Sequence, residues 1–470
     1  MTNRRSFIKT ATLSSLGLAV SGLASASSYK RIIGSNKKIN LACVGIGNRG
    51  AEVITELYNT GLANIVALCD VDLNAPHTQK ILNKFPDAPR FKDFRKMFDK
   101  MGNQIEAVSI AIPDHAHFPA CMQAIRMGKH VYVEKPMART FHEVDLLMKA
   151  AARNKKVVTQ VGNQGHSGPN YFQFKEWTKA GIIKDVTAVT AHMNSPRRWH
   201  GWDTNIKQFP EAEPVPETLD WELWLAEVLH HDYNQKFHPG NWRAWYDFGM
   251  GALGDWGAHL LDTVHKFLEL RLPYEVNPVR LDGLNDYFFP QASTLVFKFP
   301  ARAKMPPLDI TWYDGVDNLP PLPDGFGLTE ALSDVPPSGG KPIQEVKLNP
   351  GKIIYAKDLI FKGGSHASTL SIIPEEKAKA MAAKLPPVPE SPSNHFENFL
   401  LACSGREKTR SSFEIHGPLS QVFSLGVIAQ RLNEKLEIDA ASGKITNDAF
   451  ANALLAGPPP RKGWEEFYKI

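Results

Sequence analysis

The chain has 470 residues, of which 43% are hydrophobic and 22% charged, enough for two domains with a sizeable core. Arg4, Arg5 and Lys9 lie at its start, so the body beyond them carries +2 of the formal +5, with no dense Lys/Arg block to hold nucleic acid. The four cysteines (Cys43, Cys69, Cys121, Cys403) match no zinc-ligand spacing and no obvious disulfide framework.

Residues 1–26 read as a leader. Arg4 and Arg5 precede a mildly apolar run from Ala11 to Leu23, which ends at small residues Ala24 and Ala26. That run is too short for a permanent membrane span. The twin arginine places it in the Tat address class, so export in the folded state to the periplasm is expected, with no stable membrane insertion once the leader is removed. Residues 27–38 read as a linker.

From Ile39 onward, short apolar runs alternate with amphipathic stretches. "INLACVGI", "NIVALCDVD", "IEAVSIAIPD", "HVYVEKP" and "KVVTQVGNQ" read as strands. "AEVITELYNTG", "FPACMQAIRMG" and "FHEVDLLMKAAARN" read as helices. The alternation predicts βαβ units and a doubly wound parallel sheet over 39–160. Residues 161–470 are expected to form a second α/β domain. There "VTAVTAHM" and "ASTLVFKF" read as strands, with helical "DWGAHLLDTVHKFLEL" between them. Seven of the ten tryptophans fall between Trp199 and Trp256. Residues 305–350 are rich in Pro and Gly and read as a long loop or insertion.

"GIGNRG" (Gly45, Ile46, Gly47, Asn48, Arg49, Gly50) follows a strand and opens a helix. Gly45 permits a tight turn, Gly47 a close approach to a pyrophosphate, and Gly50 tight helix–strand packing. Helix-start N–H groups would face the phosphates. Asp70 ends the second strand, twenty residues past Gly50, where an acid suits ribose hydroxyls and disfavours a 2′-phosphate. NAD is therefore expected, with NADP left open by Arg49.

"AIPDHAHFPACMQAIRMGKHVYVEKPMA" (111–138), together with that glycine motif, resembles the Gfo/Idh/MocA family of oxidoreductases. The resemblance runs from about residue 39 to "PPRKGWEEFY" near the C-terminus. It implies a Rossmann domain followed by an α/β domain with a large open, mostly antiparallel sheet, and frequent assembly into dimers or tetramers. It also implies that Pro113, Asp114, His115 and His117 pass the cofactor, and that Glu134–Lys135–Pro136 supplies the active-site lysine. Asn163 would lie near the nicotinamide end. Pro136 biases Lys135 toward an extended backbone, pointing it off the sheet edge where ligands bind.

"GMGALGDWGAHLLDTVH" places Asp255, His259 and Asp262 at i, i+4 and i+7, on one helix face. By the resemblance, His259 is the general base and Asp255 its polar neighbour; Asp262 serves only to brace the helix or joins the site. Arg198, Trp199, Trp242, Arg243 and Tyr246 are candidate substrate contacts, a mixture suited to sugars. No metal is expected. The functions weighed are hydride transfer between a carbohydrate hydroxyl and NAD, a redox-neutral glycosidase of the same fold working by transient C3 oxidation, and a sugar-binding protein on an inactive frame. An exported protein must take up its dinucleotide in the cytoplasm, so the cofactor is expected to be tightly bound.

Overall fold

The structure, a computed structural model, describes residues 38–193, 203–303, 305–315, 317–327 and 348–470. The leader and the linker up to residue 37 lie outside the described residues, as do Arg198 and Trp199.

Six parallel strands form the first sheet: β1 (Ile39–Val44), β2 (Ala63–Cys69), β3 (Arg90–Phe91), β4 (Ala107–Ile110), β5 (His130–Val133) and β6 (Thr159–Val161). Their order is β3-β2-β1-β4-β5-β6, the doubly wound arrangement of a Rossmann fold. Every residue of β4, and nearly every residue of β1, is buried, because helices cover both faces. The chain reverses direction across the sheet between β1 and β4. The carboxyl ends of β1, β2, β4 and β5 therefore open on one crevice. Helix α1 (Asn48–Asn59) leaves β1 through the glycine turn. Helices α2 (His117–Arg126) and α3 (Phe141–Arg153) follow β4 and β5, and α3 starts with a Thr140/Glu143 capping box.

The second sheet has nine strands in the order β13-β12-β11-β7-β10-β9-β8-β14-β15. They are β7 (Val186–Met193), β8 (Glu275–Asp282), β9 (Ala292–Phe299), β10 (Leu308–Asp314), β11 (Gly351–Ala356), β12 (Ile360–Gly364), β13 (Leu370–Ile373), β14 (Leu436–Asp439) and β15 (Lys444–Ile445). All neighbours are antiparallel except β7 and β10. Helices α4 (Gly251–Phe267) and α6 (Phe413–Leu432) pack against it, sharing a core of Leu253, Trp256, Leu260, Phe297, Trp312 and Phe423.

The expectation of a loop over 305–350 is corrected by β10. Leu308, Ile310 and Trp312 alternate inward while Asp309, Thr311 and Tyr313 face out. The prolines and Gly315 sit at the strand's ends, where they cost no ladder bonds. The first domain also recruits distant chain. Helix α5 (His395–Cys403) packs Phe396, Phe399 and Leu400 against Ile54 and Leu57, while Phe413, Trp464 and Phe467 join the core beneath α2.

Candidate active site

The crevice at the carboxyl ends of β1, β2, β4 and β5 is a cleft of about 660 Å³. Gly45, Gly47, Asn48 and Arg49 form one wall. Gly45 has φ +80°, and a Cβ there would sit 2.2 Å from the Ala111 carbonyl oxygen. A Cβ on Gly50 would strike the Gly45 carbonyl at 2.1 Å, so Gly50 stands behind the turn and sets how closely α1 meets the sheet. Ile46 is buried and donates its N–H to Asp70 Oδ2 at 2.9 Å. Asp70 Oδ1 accepts from the Asp72 N–H at 3.0 Å. Burial pushes the Asp70 carboxyl up, and those two backbone bonds work against it. Helix α1 begins at Gly47 with no side-chain cap, which leaves its positive end to a ligand. Bare backbone at the turn, an uncapped helix start and an acid on the β2 edge fit a dinucleotide.

Lys135 follows β5, and its peptide bond to Pro136 is cis. Its Nζ donates to Asp255 Oδ1 at 2.7 Å and to the Asp255 carbonyl at 2.8 Å. Asp255 lies one turn inside α4, with Arg243 Nε 3.6 Å from the same carboxylate oxygen. His259 stands one turn further along. Burial pushes the Lys135 ammonium below its usual value, while Asp255 pulls it back up. Burial, then the Lys135 charge, then His366 hold His259 well below its ordinary value, so its imidazole is neutral. Lys135, Asp255 and His259 all face the cleft. The site thus pairs a cationic donor with a neutral acceptor.

Arg49 turns away from a phosphate role. It bonds Glu52 at 2.9 Å and the buried Glu134 at 3.1 Å. Pro113 and His117 line the cleft. Each ring nitrogen of His117, however, lies 2.8 Å from a backbone carbonyl, Ile112 or Pro136, and burial pushes the ring down to about 4. Trp242 and Arg243 also line the cleft, the guanidinium 4.0 Å over the indole.

Besides the buried Ile46 and Gly50, four expected contacts do not line it. His115 is sealed between the Trp224 and Phe248 carbonyls, at 2.8 and 3.3 Å, because the aromatic segment 219–248 packs over it. Asp114 is buried beside it on the same short turn. Asn163 binds Ser411 Oγ at 2.6 Å and Asp262 at 3.4 Å, behind α4. Tyr246 packs at a tilt against Phe289, ring centroids 4.3 Å apart. Asp262 joins Asn163 and His166, at 3.3 Å from His166, in a buried network that braces α4.

The cleft brings in His77, Gln164 and His366, which no motif singled out, together with Trp224 of the tryptophan cluster and His238. The rings of His366 and His259 stack with centroids 4.0 Å apart and 18° between planes. The only signal for His366 was the Gly363-Gly364 pair before it, which marks a loop without saying where the loop goes.

Residues 39–162 match the profile of the Gfo/Idh/MocA oxidoreductase family's NAD-binding Rossmann fold, and residues 173–282 match the family's C-terminal alpha/beta domain. The chain belongs to the Gfo/Idh/MocA family. Inositol 2-dehydrogenase of Salmonella typhimurium is 28% identical over 199 residues, covering 41% of this chain and 54% of that protein. A glycosyl hydrolase family 109 protein of a Shewanella species is 27% identical over 260 residues, half of this chain and 53% of that one. The chain thus spans about half the length of these curated relatives. The WlbA dehydrogenase from Bordetella pertussis, solved in complex with NADH and UDP-GlcNAcA, shares the fold with TM-score 0.55 and 13% identity, over 86% of this Gfo/Idh/MocA chain and 99% of its own.

Proposed function

We propose that this family member transfers hydride between a carbohydrate hydroxyl carbon and a tightly held NAD. The observation that carries the reading is the Lys135–Asp255 clamp beside neutral His259, in the same cleft as the glycine turn and Asp70. A bound dinucleotide supplies the two-electron acceptor. His259 accepts the hydroxyl proton as the C–H bond breaks, and Lys135 donates a hydrogen bond to the oxygen that becomes the carbonyl. Asp255 holds Lys135 in place. Asp70, and an Arg49 already committed to two carboxylates, support NAD over NADP. Arg243, braced on the Trp242 ring at the cleft, supports a sugar by offering guanidinium donors to hydroxyls.

A redox-neutral glycosidase is the second reading. It is favoured by the likeness to a family 109 glycosyl hydrolase and by how the cleft is covered. Leu223, Trp224, His238 and Pro239, from the aromatic segment, share its lining with Asp70 and His77. A cofactor enclosed there exchanges slowly and must be recycled in place. The twin-arginine reading of the leader, with export of the folded protein, adds the same demand. Incubation with glycosides, following absorbance at 340 nm and free aglycone together, separates the two. Net cofactor reduction without aglycone supports the dehydrogenase, whereas aglycone release without net reduction replaces it with the glycosidase.

A further inference from the structure

His366 is held over His259 by three separate devices. Its backbone N–H donates to the His259 carbonyl at 3.1 Å, tying the β12–β13 loop to α4. Its φ is +54°, a strained conformation for a residue with a side chain. Its carbonyl is pressed against Gly165, where a Cβ would come within 2.4 Å. Both imidazoles meet Trp256 edge-on, at 5.5 Å for His366 and 5.9 Å for His259. Nδ1 of His366 is 2.9 Å from Ser365 Oγ, an orientation that fixes which ring edge meets the cleft.

Two imidazolium rings in face-to-face contact repel, so such a stack holds one proton at a time. The two rings are not equivalent. His259 is 6% exposed, whereas His366 is half-buried and meets the cleft. Of the two, His366 is the ring with better access to water. Lys135 and Arg49, from the first domain, and Asp255, one turn earlier on α4, act on the His259 charge. Lys352 donates to the carbonyl of Gly364, two residues before His366, and the His166–Asp262 pair lies beside Gly165.

We propose that His366 and His259 work as a stacked pair holding a single proton, carried on His366, so that His259 stays the neutral acceptor. This assigns His366 a positioning role in the proposed reaction and rests on that reading for its use, though not for its existence. A protonated His366 adds to burial and to the Lys135 charge in keeping His259 neutral. Strain at residue 366 then has a purpose that packing alone does not supply.

The test is an NMR titration of the full chain with histidine labelled at Cε1, comparing the parent with His366→Phe and Ser365→Ala. Phenylalanine keeps a flat ring on His259 and cannot take a proton. The His259 midpoint is expected to rise by roughly one pH unit in His366→Phe. The acid limb of kcat/KM is expected to rise with it, and KM to change little. In Ser365→Ala, which keeps the stack, the His366 midpoint is expected to fall. A His259 midpoint unmoved in His366→Phe overturns the proposal, as does a parent in which His259 protonates first. Should His366→Phe fail to fold, an unmoved His366 midpoint in Ser365→Ala overturns it. The resonances need no turnover. A shifted His259 in a protein with no dehydrogenase activity would support the pair while removing the proposed reaction.

Discussion

Asp255 is held between two cations in the cleft, Lys135 at 2.7 Å and Arg243 at 3.6 Å, with its carboxylate only 5% exposed. Removing its charge leaves Lys135 buried and unmatched. Asp255→Asn is expected to cost about 3 kcal/mol of stability, the usual result of breaking one side of a buried ion pair. It should lower kcat far more than KM, since the clamp positions a donor needed as charge develops. Chemical denaturation and steady-state kinetics check both. The glycine turn and Asp70 were legible from local spacing, a turn and a strand end, and the shared helix face of Asp255 and His259 from i, i+4; the family resemblance singled out Lys135 and gave the Asp–His pair its role. His115 misled for a physical reason. Its own neighbours say nothing about Trp224 and Phe248, which arrive from more than a hundred residues away and occupy its ring nitrogens.

At the scale of elements, the β1–α1 turn tolerates no side chain at Gly45, where positive φ and the Ala111 carbonyl both exclude one. Gly45→Ala is expected to displace the turn and lower the dinucleotide retained through purification at least tenfold while leaving the second sheet folded; dinucleotide quantified after denaturation, beside circular dichroism, reads this. Helix α4 carries Asp255 and His259 on its cleft side, with Asp262 tied to Asn163 and His166 behind. The helix was legible from its 3.6-residue pattern, but which polar residue met the cleft was not, because Asp262, on the same face, lies about 10 Å further along the axis than Asp255. Strand β10 was masked by its flanking prolines, although its own alternation is regular. The loop carrying His366 had no periodic signal at all.

At the scale of the whole molecule, buried neutral histidines set the acid limit. Burial pushes His115, His395 and His416 down to about 3, and His117, His192, His238 and His265 to about 4, against 6.5 in an unfolded chain. Below pH 6.5 the unfolded state binds protons that the folded state refuses, so stability falls as pH falls toward 4. The loss approaches about 1.4 kcal/mol per such histidine for each pH unit below 6.5. The thermal midpoint should be flat from pH 7 to 8 and drop steeply from 6.5 to 5. The parallel sheet was legible from alternating patterns and the second, open sheet was implied by the family resemblance, whereas the return of α5 and the C-terminal Trp464 and Phe467 to the first domain was not. That return depends on packing across the whole chain. The central claim joins a retained dinucleotide to Lys135 and His259 in one cleft. The most direct test is a single turnover. Parent, Lys135→Met and His259→Ala are purified with their bound dinucleotide quantified after denaturation, then mixed with sugar while absorbance at 340 nm is followed. The account predicts equal dinucleotide content in all three, a rise in the parent, and at least a hundredfold slower rise in both variants. Variants that reduce the bound dinucleotide at the parent's rate would contradict it.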